Sequence, residues 1–162
     1  MNRARKLLLI GGFALAGLGM IYGLHYALFV EHQTLDRMGG SLAQAFVQAA
    51  ERRPVEANVS VDQYAATKYA YVRQVDIHSH WIGLAMLLMV MGVAFDFVAL
   101  EERTRTWIAV ALVAGSFLFP LGVILQTVSR HTALASGLAI FGSVTVTIAL
   151  AAVVWGFWRV SA

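Results

Sequence analysis

Five histidines, His25, His32, His78, His80 and His131, are the residues of this 162-residue chain best equipped for chemistry. Two of them stand one residue apart in RQVDIHSHWIGLAMLLMVMG (Arg73–Gly92), where a charged segment gives way to a long apolar one. Imidazole carries protons near neutral pH and is the commonest side-chain metal ligand. At membrane depth it is costly, so a cluster of such groups invites a functional reading. The chain has no cysteine. Disulfides, thiolate metal sites, iron–sulfur clusters and thioether-attached haem are therefore excluded.

Helical geometry limits what the pair can do. Successive residues turn by about 100°, which sends His78 and His80 to opposite faces and prevents both from chelating one metal from one regular helix. Asp76 lies four residues before His80 and shares its face. Its carboxylate is a candidate to accept the spare imidazole N–H and orient the ring, or it is a plain exposed acid.

The elements that must position these residues follow from composition. Apolar residues make up 59% of the chain and charged ones 13%, with a mean hydropathy of +0.70. A soluble domain of this length cannot hide so much apolar surface. Four apolar runs reach the roughly 20 residues a bilayer crossing needs: 7–30, 77–100, 107–128 and 132–157. The predicted fold is an all-α integral membrane protein, a single domain built as a four-transmembrane-helix bundle. Short turns join the last three spans, Glu101–Arg105 and Ser129–Thr132. Segment 31–76, between the first two spans, is the only sizeable extramembrane piece. Within it Leu42, Phe46, Val47 and Ala50 fall at helical spacing before Pro54, the pattern of an amphipathic helix on the outer surface or over the bundle mouth. Val61, Tyr64, Lys68, Tyr71 and Val75 mark a second helix running directly into the second span.

Arg3, Arg5 and Lys6 before the first span, Arg103 and Arg105 between the second and third and Arg159 after the fourth lie on one side, which the positive-inside rule makes cytoplasmic. Both termini are expected inside, in a multi-pass bacterial inner-membrane protein. The first apolar run continues to Val30, well past the Ala14–Ala16 stretch that imitates a signal-peptide cleavage site, so it is read as a retained helix. Small residues at Gly19 and Gly23, and at Ser136, Gly137, Gly142 and Ser143, permit close helix packing or room for a flat cofactor. With this topology all five histidines fall toward the outer membrane face. The net charge of +3 is scattered, and no nucleic-acid partner is expected. Asp96 and Gln126 do not make a polar path across the midplane. A transporter is disfavoured, and no nucleophile–base pair supports an enzyme working by side chains alone.

Histidines on facing helices at one end of a membrane bundle suit haem b, which needs axial nitrogens and no cysteine. His25 and His80 are the expected ligands, with Asp76 orienting His80, His78 available to a second site, and Arg73 or Arg130 pairing the propionates. Two alternatives stay open. One is an outward-facing copper or zinc site drawn from His25, His78, His80, His131 and His32. The other is a cofactor-free accessory or assembly subunit.

The His78-Ser79-His80 motif, opening a helix that enters from the outer side, resembles the catalytic subunit of haem-copper oxidases and nitric oxide reductases. There two histidines so spaced face two haems on opposite sides of one helix, and the low-spin haem's other ligand comes from a different helix. The resemblance covers this tripeptide and, by position, His25. It implies electron transfer through a bis-histidine haem, with other membrane subunits or a homo-oligomer as partners and a quinone or outer-side electron carrier as redox partner. The family's adjacent-histidine copper ligands are missing, so oxygen reduction is not implied.

Overall fold

A computed structural model describes residues 2–128 and 132–159. The described residues form five α-helices and no strand: α1 (Arg3–Phe29), α2 (Glu31–Ala50), α3 (Pro54–Ala94), α4 (Glu102–Val128) and α5 (Thr132–Trp158). A 3₁₀ turn at Phe95–Phe97 follows α3. Four of the helices, α1, α3, α4 and α5, are long and apolar enough to cross a membrane. The protein is an all-α four-helix membrane bundle with a helical insertion between its first two spans.

The chain divides into two compact units. A membrane unit comprises Met1–Met20 and Ile77–Ala162, and a hairpin unit comprises Ile21–Asp76. Within the membrane unit, Leu8, Leu15, Ala85, Leu88, Ala109, Leu112 and Val153 form the core, while Ile10, Phe13, Val90, Phe141 and Ile148 point outward. Helices apolar on all sides are what lipid, rather than water, selects. Helices α4 and α5 approach each other closely. A Cβ on Gly122 would lie 2.5 Å from the Ala139 nitrogen, and one on Gly142 would lie 2.5 Å from that of Phe119. The backbones touch there because no side chain intervenes. Helix α4 runs unbroken through Pro120. Arg130 and His131 lie outside the described residues.

At the other end of the unit Asn2 caps α1, its side-chain oxygen accepting the Arg5 N–H at 2.8 Å. Asn2 Nδ2 and Arg5 Nη1 both donate to the Asp96 carboxylate, at 2.8 and 2.9 Å. This clamp explains a difference from the expected boundary. The apolar run continues to Leu100, yet α3 stops at Ala94. Asp96 is held by the start of α1, Val98 is extended, and the Ala99 N–H reaches the Gly156 carbonyl at 3.2 Å. Glu101–Arg105, expected as a turn, instead starts α4: the Arg105 N–H bonds the Glu101 carbonyl at 2.9 Å. Acids there meet the positive end of the helix dipole.

Within the hairpin unit, α2 meets α3 through Ser41, Ala45, Ala57 and Ser60, all buried. Ser60 Oγ donates to Gln48 Oε1 at 2.8 Å. The turn between them is a Schellman closure. The Arg53 N–H bonds Gln48 O at 2.9 Å and the Arg52 N–H bonds Ala49 O at 3.0 Å. Arg52 takes φ 58°, a left-handed conformation usually left to glycine. Pro54 then opens α3, where its fixed φ fits and its missing N–H costs nothing.

Candidate functional site

Helix α3 presents one face at alternating steps of three and four residues. In the hairpin unit the half-buried or buried members are Ala57, Ser60, Tyr64, Thr67, Tyr71 and Gln74. In the membrane unit the same spacing continues with His78, Trp81, Ala85 and Leu88. A 3.5-residue period keeps one stripe facing a partner helix. In the hairpin unit Tyr22 donates its hydroxyl to Gln74 Oε1, Tyr71 donates to Glu31 Oε1 at 3.3 Å, and the Tyr26 and Tyr71 rings lie 6.3 Å apart.

His78 is oriented by a backbone group of a neighbouring helix. Its Nδ1 lies 2.9 Å from the Gly19 carbonyl oxygen of α1. A carbonyl only accepts, so Nδ1 carries the hydrogen and donates it, and in the neutral ring Nε2 keeps its lone pair. The approach depends on Gly19. A Cβ there would sit 3.0 Å from Ile82 Cδ1 and 3.1 Å from Trp81 Cβ. Anchoring one imidazole nitrogen on a backbone carbonyl while the other is presented is how ligating histidines are held.

His80 takes the opposite side, as the two-residue spacing requires. Its ring stands edge-on to Phe119 of α4, centroids 4.8 Å apart at 89°, and is otherwise exposed. His25 is exposed on α1 among exposed Ile21, Leu24 and Leu28, with its ring 5.4 Å from that of Phe29. His32 is exposed and lies 3.5 Å from the Asp36 carboxylate one turn on. Asp76 is half-buried in the hairpin unit. Arg73 folds back along α3, donating to the Tyr69 hydroxyl at 3.0 and 2.7 Å with its guanidinium 5.2 Å over the ring. His25 belongs to the hairpin unit, and His78 and His80 to the membrane unit.

Among the described residues, no three His, Asp or Glu side chains converge on one point. Gly19's carbonyl, Phe119 and the tyrosine–glutamine stripe were not anticipated as neighbours of the histidines. The alternating three-and-four spacing of Tyr64, Thr67, Tyr71, Gln74 and His78 is the signal that would have found the stripe. A search for apolar periodicity passes over it because its members are polar. Comparison of the chain with protein-family models, curated proteins and solved structures gave no match.

Proposed function

We propose that the chain is a membrane-bound haem b protein for electron transfer, working as a subunit of a larger respiratory or redox complex. The observation that supports this most is the His78–Gly19 contact. It makes Nδ1 the donor of an imidazole at the start of a membrane-crossing segment, so that in the neutral ring the lone pair an axial ligand needs is on Nε2. His78 therefore stands beside His80 as an axial-ligand candidate of the membrane unit, on the opposite face of α3, while His25, the other expected ligand, belongs to the hairpin unit. A haem with two imidazole ligands takes up and releases one electron without binding oxygen.

The residues fit that group in donor type. His25 stands on an apolar helix face where lipid offers its N–H no partner, and a polar group so placed needs ligation or a neighbouring subunit. His80, edge-on to Phe119, faces away from the side on which His78 is anchored, as two separate ligand positions on one helix require. Arg73 is committed to Tyr69, so the propionate role falls more naturally to other cations. A copper or zinc site has less support, because three ligands do not converge among the described residues. We place the protein in a bacterial inner membrane with both termini cytoplasmic, on the distribution of Arg and Lys around the spans.

The test is a visible spectrum of detergent-purified protein, oxidised and dithionite-reduced, with a pyridine haemochrome assay after expression with ample haem. A sharp reduced α-band that collapses in His78→Ala supports the reading. A colourless protein refutes it, and metal analysis then separates a copper or zinc protein from a cofactor-free subunit.

A further inference from the structure

The hairpin unit carries a second stripe that nothing in it covers. On α2 the small residues Ser41 and Ala45 face α3, while Leu35, Leu42 and Phe46 are 45%, 37% and 70% exposed. On α3 Val61, Val72 and Val75 flank the buried seam at 46%, 45% and 40% exposure. The two sets lie on one side of the hairpin. Arg37 and Gln44 of α2 line a shared groove with Gln63 of α3, floored by the seam residues Ser41 and Thr67, and this defines the opposite, polar side. Helical rotation puts Leu35, Leu42 and Phe46 roughly 140–180° from Arg37 and Gln44, and Val61, Val72 and Val75 roughly 120–180° from Gln63.

Both exposed sets keep the coiled-coil period. Leu35 and Leu42 stand seven apart, as do Val61, Lys68 and Val75, with Ala65 and Val72 between them. A helix that packs against a single neighbour needs only one narrow seam. A seam with an apolar flank beside it is the pattern of a four-helix bundle, where each helix meets two neighbours. A two-helix hairpin supplies only half of that bundle.

We infer that this face is a homodimer interface, in which the α2–α3 hairpins of two copies of the chain form a four-helix bundle. The six apolar side chains expose on the order of 500 Å² per copy. With Ala65 and the Lys68 stem this approaches the roughly 800 Å² that one partner contributes to a standard interface. A two-fold pairing uses the same patch twice, so no separate complementary surface is required. Lipid is a poorer occupant. The segment from Glu31 to Asp76 carries eleven charged residues, and α2 has one arginine against two acids, without the cationic face that interfacial helices turn to headgroups. The inference does not depend on haem.

The absence of cysteine makes the test clean. Single-cysteine variants Leu42→Cys and Phe46→Cys on the apolar side, and Gln44→Cys on the polar side, are oxidised or treated with a short bis-maleimide in native membranes. The full chain is used throughout. Several-fold more covalent dimer at positions 42 and 46 than at 44, with loss of the dimer in light scattering on Phe46→Glu, supports the interface. Equal cross-linking at all three positions refutes it. So does a monomer in nanodiscs, or a probe on Leu42→Cys that is quenched by chain-labelled lipid; the latter would assign the face to the bilayer.

Discussion

Gly17 and Gly19 provide a controlled experiment on how the candidate ligand is held. They are two residues apart in one apolar helix, and replacement of either by alanine brings the same backbone gain, about 0.5–1 kcal/mol. Their surroundings differ. A Cβ at Gly17 meets nothing within 4 Å, whereas one at Gly19 meets Trp81 Cβ at 3.1 Å and Ile82 Cδ1 at 3.0 Å. The isoleucine terminus can rotate away, but Trp81 Cβ is fixed to the α3 backbone. The helices must therefore part by a few tenths of an ångström where His78 donates across 2.9 Å. Overpacking of this kind costs about 1 kcal/mol at the low end of its range, and weakening the hydrogen bond adds about 0.5–1.5 kcal/mol. Gly19→Ala should thus fall about 2 kcal/mol below Gly17→Ala, close to 30-fold in the folding equilibrium. Reversible unfolding in mixed micelles, followed by circular dichroism, measures the difference. A double-mutant cycle with His78→Ala isolates the hydrogen-bond share, since Gly19→Ala should cost less once the imidazole is gone. Equal stability of the two alanine variants, or a cycle with no coupling, would refute the argument that Gly19 positions His78.

Other outcomes follow from the same packing. Gly142→Ala, whose Cβ would press on the Phe119 backbone, should destabilise the α4–α5 pair by about 1–3 kcal/mol, whereas Gly137→Ala, in open space, should be neutral or slightly stabilising in the same assay. Arg52→Gly should stabilise the protein by about 1 kcal/mol, because it relieves a left-handed non-glycine residue at an exposed turn; a loss of stability would show that the Arg52 side chain makes a contact worth more than the strain. Asp96→Asn should cost no more than about 1 kcal/mol, since Arg5 and Asp96 are 36% and 43% exposed, and the cost should shrink in high salt.

What the sequence made legible was what lipid imposes. Span length and hydropathy locate α1, α3, α4 and α5, and the amphipathic pattern before Pro54 locates α2. Less legible was which side of each helix meets protein. Leu42, Phe46, Val47 and Ala50 were expected as the apolar face of a helix on the outer surface or over the bundle mouth; α2 reaches α3 through Ser41 and Ala45, which that pattern did not single out, and Leu42, Phe46 and Val47 are exposed. Likewise the expected stripe Val61, Tyr64, Lys68, Tyr71 and Val75 mixes two faces. Tyr64 and Tyr71 are half-buried on the seam, and the other three are exposed beside it. Apolar periodicity cannot separate these, because close packing of small or polar side chains leaves no hydrophobic trace. The end of α3 was misplaced for a different reason. Asp96 is drawn to Asn2 and Arg5, residues distant in sequence, and no local pattern announces that.

Those readings converge on one physical feature of α3. Along a single unbroken helix the packed stripe keeps its spacing while its chemistry changes, from Ser60, Tyr64, Thr67, Tyr71 and Gln74 to Trp81, Ala85 and Leu88. Side-chain hydrogen bonds such as Tyr22–Gln74 and Tyr71–Glu31 hold the first group, and shape holds the second. His78 is the last polar member before the change, and its partner is a backbone carbonyl of the neighbouring helix α1 rather than a side chain. A side-chain partner can turn or change its protonation state, whereas a helix carbonyl has a fixed direction and only accepts. An imidazole tied to one is therefore restricted in both tautomer and orientation, which a residue serving only to fill the seam does not require. A polar side chain at the edge of an apolar stripe, tied by one ring nitrogen to a fixed acceptor, is the physical argument for seeking a function at this residue.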